Sequence, residues 1–198
     1  MTVKDDVRTE ILKASVKLMT EGGLGALSMR EVARRAGVSH QAPYHYFADR
    51  EAILAELAGR GFDDMYDYMV SALGLARPDK ASRVQAMGEA YVRFALNNPE
   101  VFRLMFRCEL VDLSRYPNEK AKADRVFGVV AGAMGVNAPP EDKMSPELAP
   151  VVAAWSMAHG LATLMLEGKM GQHMGETRDQ KEAASRPILE VLSRSFGK

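Results

Sequence analysis

Cysteine is nearly absent: Cys108 is the only one in 198 residues. That excludes an intrachain disulfide and fits a reducing compartment, with the thiol itself expected to be buried and structural. Net charge is absent too, since 26 Lys and Arg balance 26 Asp and Glu. The balance holds locally, with nine basic against eight acidic residues in 1–60 and seventeen against eighteen in 61–198. A basic field that coats DNA without regard to sequence is thereby excluded. A protein that grips one short site through a few placed contacts needs no such field. No run of about 18 apolar residues is met, so no membrane span is expected. The start, MTVKDDVRTEILK, is charged and lacks the apolar stretch of a secretory signal, so the expected location is the cytoplasm. HExxH, GxSxG and Walker signatures are missing, and His40, His45, His159 and His173 show no metal-ligand spacing. No enzyme, cofactor or metal is expected.

Strand signals are missing as well. There is no alternating β-branched run and no Asn-Gly hairpin, so the expected class is all-α. What is present is helical periodicity. Val7, Ile11, Ala14 and Leu18 mark a first helix from Val3 to Glu21, closed by Gly22-Gly23. Ser28 and Glu31 form a capping box for a second helix, which Gly37 stops. Ser39 caps a third short helix through Phe47, with a tight first turn at Pro43, and Asp49 caps a fourth that runs to about Ala76. Helices are then expected over 79–97, from Asn98-Pro99-Glu100 to Arg107, over 117–135, from Ser145 to Gly168 and over 178–196. Asn137-Ala138-Pro139-Pro140 breaks this series, and Pro187 kinks or restarts the last helix.

Residues 28–47 carry the functional signal. Two short helices around a Gly37-Val38-Ser39 bend are helix-turn-helix grammar. Ala33 and Ala36 allow close approach, Gly37 permits the turn and Val38 fills the space between the helices. The second helix then offers an outer face to the major groove. His40, Gln41, Tyr44 and His45 on that face all form hydrogen bonds. Gln pairs with an adenine edge, and the short Ala42 admits a thymine methyl. Tyr44 and Tyr46 can donate to phosphate, with Arg30 and Arg50 as flanking cations. Four Arg against two acids give 28–50 a net charge of +2.

The stretch LSMREVARRAGVSHQAPYHYFADREAIL resembles the DNA-binding segment of the tetracycline-repressor (TetR) family of bacterial regulators. Arg30, Ala33, Gly37-Val38-Ser39, Tyr44, Phe47, Glu51 and Leu54 carry the resemblance, which covers about residues 5–58. The family often has Gly where Gln41 stands and an apolar residue where Pro43 stands. The resemblance implies that the third helix reads bases and that the start of the fourth touches phosphate. The candidate DNA-binding residues are then Arg30, Ser39, His40, Gln41, Ala42, Tyr44, His45, Tyr46 and Arg50. AAWSMAHGLATLMLEG is similar to a C-terminal type found in one branch of the family, marked by Trp155, His159 and Gly160, which implies a dimer interface in the last two long helices.

The C-terminal residues allow two readings each. Leu148, Val152, Trp155, His159, Ala162 and Leu166 form a packing stripe, matched by Ile188, Val191 and Leu192. Apart from Leu148, these are the candidate dimer contacts, and the competing reading is a monomer core. His159 alone on an apolar helix reads as a core or interface histidine. Ten of thirteen Met follow residue 60. Met65, Met69, Met105 and Met157, with Tyr91, Phe94, Phe102 and Phe106, form a candidate ligand pocket or else core filler.

The expected architecture is an N-terminal three-helix helix-turn-helix domain over 1–50 and a C-terminal helical ligand-binding and dimerisation domain over 51–198. The resemblance implies a sequence-specific regulator, a ligand-responsive repressor that binds a palindromic double-stranded DNA operator as a homodimer. An unidentified small molecule would be its effector. Two other readings remain. One is a helical small-molecule-binding protein or enzyme with a structural N-terminal hairpin. The other is a protein-interaction module using the His/Gln/Tyr face. A steep loss of binding with salt would separate DNA from a protein partner.

Overall fold

The computed structural model describes residues 3–136 and 145–196, and all regular structure among them is helical. Helix α1 (Val3–Gly22) buries Ile11, Leu12, Leu18 and Met19 at helical spacing. Ser28 caps α2 (Met29–Ala36), its Oγ accepting from the Glu31 amide at 3.2 Å. Only half of the expected capping box forms, because the Glu31 carboxylate turns outward to Arg34 one turn on. Helix α3 (Arg50–Leu75) opens on Asp49, whose Oδ1 accepts from the Ala52 amide at 2.8 Å. It runs on through Gly59 and Gly61. A Cβ at Gly61 would lie 2.6 Å from both the Met105 sulfur and Val101 Cγ1, so the missing side chain lets α5 (Pro99–Met105) cross closely.

The chain divides into two units. One runs to Gly61 and takes in Glu100–Ala121; the other comprises Phe62–Pro99 and the chain from Lys122 onward. The boundary expected at residue 50 thus falls eleven residues later, inside α3, and α5 with the turns after it belongs to the N-terminal unit. Periodicity gave no sign of this, because α3 is one uninterrupted helix.

In the C-terminal unit, α4 (Lys80–Asn97) is central and packs against α7 (Ala149–Leu166) and α9 (Arg178–Phe196). Asp79 caps α4 through the Ser82 amide at 2.9 Å. Val84, Met87, Tyr91 and Phe94 recur along its buried side. Asn98 does not serve visibly as an N-cap; its side chain donates to the Phe94 carbonyl at 3.2 Å and so closes α4 instead. Helix α6 (Pro117–Ala133) and the short α8 (Gly171–Met174) complete the described set, and α9 continues through Pro187. The break expected at Asn137-Ala138-Pro139-Pro140 lies outside the described residues.

Two expectations need correction here. The helical run Pro146–Leu166 is long and apolar enough, by length and composition, to cross a membrane. In the fold one side of it, with Ala154, Ala158, Ala162 and Met165, packs inside the unit. Cys108 is exposed rather than buried, because it lies in the turn after α5 and not on a packed helix face.

Candidate nucleic-acid interface

The segment after α2 is fixed by its backbone. Gly37 takes the left-handed conformation, φ +69°, which a side chain would strain. Its amide donates to the Arg34 carbonyl at 3.3 Å, and the Val38 amide to the Ala33 carbonyl at 3.1 Å. This Schellman closure ends α2 and sets the direction of the following chain. The expected third α-helix is instead a 3-10 turn, Ala42–His45. Pro43 lies in its first turn, where the missing amide donor leaves no helical bond unmade. The Tyr44 amide donates to Gln41 at 3.1 Å, and the Tyr46 and Phe47 amides both donate to the Pro43 carbonyl, at 3.0 and 2.9 Å.

This turn has an inner and an outer side. Pro43 and Phe47 are buried and anchor it. Ser39, His40, Gln41, Tyr44 and His45 are exposed, Tyr44 by 54%, while Ala42 and Tyr46 are half-buried. The outer residues are hydrogen-bonding side chains held on a rigid stub, a geometry suited to reading base edges.

The cations behave differently from expectation. Arg34 pairs with Glu31, and Arg35 binds Glu21 through two bonds of 2.8 and 2.7 Å. These guanidiniums hold the carboxyls of Glu31 and Glu21 below the usual carboxylate range, chiefly by hydrogen bonding. Arg50 is not simply a phosphate contact: its Nε donates to the Leu27 carbonyl and its Nη2 to the Leu24 carbonyl, each at 2.7 Å. It braces the loop between α1 and α2. Among the described residues Arg30 is exposed without an ion pair, so it is the available cation of the four.

A brace missed in the sequence lies behind the turn. Glu56 is buried and pairs with Arg8 and with Arg60, whose Nη2 lies 2.9 Å away. The Arg8 guanidinium also stacks over the Phe47 ring, 5.3 Å from its centroid. Arg8 thereby ties α1 to α3 and covers the anchor of the turn. The signal was a lone acid in the otherwise apolar run Ile53–Ala58.

In the C-terminal unit the expected pocket residues separate. Met69 and Tyr91 line an apolar cavity of about 20 Å³, room for roughly one water. Met65 and Phe94 are packed solid in the core, and Phe102, Met105 and Phe106 belong to the N-terminal unit. Met157 is 50% exposed and lies on the surface. Met87, Ala154, Trp155 and Leu192 join the cavity wall instead. Tyr91 is fully buried; its hydroxyl is 2.8 Å from Nδ1 of the half-buried His159, and its ring meets Trp155 edge-on at 5.9 Å. Burial pushes the Tyr91 phenol up and the His159 imidazole down, favouring the neutral form of each.

The residues expected at a dimer interface differ in exposure. Ala162 and Leu192 are buried within the subunit, and Val152, Trp155, His159 and Leu166 are only partly exposed. The exposed stripe runs through Ala153, Met157 and Leu164, past Gly160, where a Cβ would meet nothing within 4 Å. Ile188 and Val191, the latter 65% exposed, do lie outward on α9. Helix α7 is apolar all round, so periodicity alone does not fix which side turns inward. Among the described residues no cluster of His, Cys, Asp or Glu would hold a metal ion.

A short capped helix, a tight turn with a polar outer face and a separate helical unit define a helix-turn-helix protein with a helical body. Comparison gives the family. A model described as "Bacterial regulatory proteins, tetR family" matches residues 11–57, and one for a "Tetracyclin repressor-like, C-terminal domain" matches 84–191. The chain belongs to the tetracycline-repressor (TetR) family of bacterial regulatory proteins. It is 26% identical over 140 residues to the HTH-type transcriptional activator FasR of Mycolicibacterium smegmatis, covering 68% of this chain and 64% of that one. It is 38% identical over 64 residues to the HTH-type transcriptional repressor KstR2 of Rhodococcus jostii, covering 32% and 31%. The chain thus spans less than two thirds of either curated relative. The TetR-family transcriptional regulator PfmR from Thermus thermophilus shares the fold, with a TM-score of 0.67 at 22% identity over 98% of this chain and 97% of that one.

Proposed function

We propose that this chain is a cytoplasmic, sequence-specific DNA-binding transcription regulator that acts as a homodimer on a roughly palindromic operator. The exposed Ser39–His45 face, held between the Gly37 closure and the Pro43 and Phe47 anchors, carries the reading. Gln41, His40 and Tyr44 read base edges, Arg30 grips phosphate and Arg50 holds the frame. The exposed Met157, Leu164, Ile188 and Val191 support the second half: an apolar face on two helices is where a second copy buries surface. Two copies related by a two-fold axis would set their turns about 34–36 Å apart, one helical turn of DNA. Occupying an operator is enough to exclude the polymerase, whereas activation needs a further contact, so repression is the proposed sign. A small molecule bound in the C-terminal unit would release the operator through different affinities for the competent and incompetent states.

The test is retention of genome fragments by purified protein at moderate salt, followed by sequencing. One short palindromic sequence should be enriched by the native chain and lost with Gln41→Ala combined with Tyr44→Ala. Featureless recovery, persisting when cell extract is added, would contradict the proposal. Deleting the gene should raise transcription beside the enriched site; a fall there would reverse the proposed sign.

A further inference from the structure

We infer that the cavity of the C-terminal unit takes an uncharged, largely hydrocarbon molecule with one hydrogen-bonding group, and that Tyr91 with His159 selects against a charged head. This rests on the effector reading above and names the chemistry of that effector.

The wall decides the class. The lining side chains are hydrocarbon and thioether, apart from the phenol of Tyr91 and the indole of Trp155. No carboxylate, guanidinium or ammonium lines it. On α4 and α9, Arg93 pairs with Glu182 at 2.6 Å and Arg186 lies 3.9 Å from Glu89, so these charges are already partnered. A ligand carboxylate or ammonium in this wall would lose its water and gain no countercharge, which strongly disfavours it. The environment acts on its own groups in the same direction, holding both Tyr91 and His159 neutral. A ligand hydroxyl or carbonyl can instead enter the Tyr91–His159 hydrogen bond, since hydroxyl and neutral imidazole each combine donor and acceptor character.

The present volume holds about one water, so a ligand must make room. Met69 and Met87 are suited to yield, being unbranched with three rotatable bonds. A mere packing gap would need no polar pair beside it. Trp155 lines the cavity while remaining half-exposed, which gives an entrant a route from the surface.

Trp155 is the only tryptophan, so its emission reports the cavity directly in the full chain. Three probes of one chain length separate the cases at pH 7.5: decan-1-ol kept below its solubility limit, and decanoate and decyltrimethylammonium kept below their micelle concentrations. Decan-1-ol should shift the Trp155 emission saturably and bind at least ten-fold more tightly than either ion. Tyr91→Phe should weaken decan-1-ol at least five-fold and narrow its preference over decanoate. His159→Gln, which keeps a hydrogen-bonding group, should retain more of that preference. Decanoate binding as tightly as the alcohol would overturn the inference. So would a saturable shift with none of the three, in native protein whose thermal transition is intact. DNA retention is measured in parallel: alcohol binding that leaves retention unchanged would sink the effector reading, while retention without probe binding would sink this inference alone.

Discussion

Four arginines lie between Ser28 and Arg50, and the fold engages three of them. Arg34 and Arg35 neutralise Glu31 and Glu21, and Arg50 holds two backbone carbonyls. Arg30→Ala should therefore weaken binding to all DNA sequences alike and reduce the salt slope by about 1, as for a single phosphate contact. Arg50→Met should act on stability first. Losing two charge-assisted hydrogen bonds to Leu24 and Leu27 costs about 2 kcal/mol, read from urea denaturation without DNA. A stable Arg50→Met protein with a lowered salt slope would reverse these roles. His159 gives a pH prediction. Burial depresses its pKa from the ordinary 6.5, so the unfolded chain takes up a proton more readily than the folded one. Stability is then complete above about 6.5 and falls as the pH drops below it. His159→Gln should flatten that acid limb in thermal melts between pH 7.5 and 5.5; an unchanged limb would assign it to other groups.

Among the helices and turns, the turn between α2 and α3 carries the proposed DNA-reading face, and Gly37 closes the helix that leads into it. Gly37→Ala forces a Cβ into the left-handed region, at a cost of about 1–2 kcal/mol. Gly37→Asn should cost less, because Asn tolerates that conformation. Equal melting temperatures for the native and Ala forms would count against the Schellman closure. The caps at Ser28 and Asp49, the Gly37 stop and the outer set His40, Gln41, Tyr44 and His45 were all legible in the sequence, because each is a local signal. Pro43 announced a tight first turn, yet that the segment is a 3-10 turn in place of a longer helix needed the hydrogen-bond pattern. What the sequence hid is what depends on distant neighbours. The phase of α7 was one such case, since an all-apolar helix offers several equivalent stripes. The Glu56 brace was another, because its partner Arg8 lies 48 residues away.

For the whole molecule, the outward apolar residues of α7 and α9 make a demand that the C-terminal unit alone does not meet. Met157, Leu164, Ile188 and Val191 stand in water unless another surface covers them. Met157→Glu combined with Val191→Glu should yield a monomer in sedimentation equilibrium and weaken operator binding by a hundred-fold or more, since each head then binds its half-site alone. The same pair of changes should leave helix content unaltered, because neither side chain is part of the core. A dimer that survives both substitutions would move the interface elsewhere.

The proposed role of the Ser39–His45 face, reading DNA in two symmetric copies, is open to a direct test. The most direct test titrates native and Gln41→Ala protein against the enriched operator and a set of single base-pair substitutions of it. Gln41→Ala should lose discrimination at one pair of positions, placed symmetrically about the centre of the site, and keep it at the others. Preference unchanged at every position would mean that Gln41 contributes nothing to the reading of sequence and that this face does not read DNA through it.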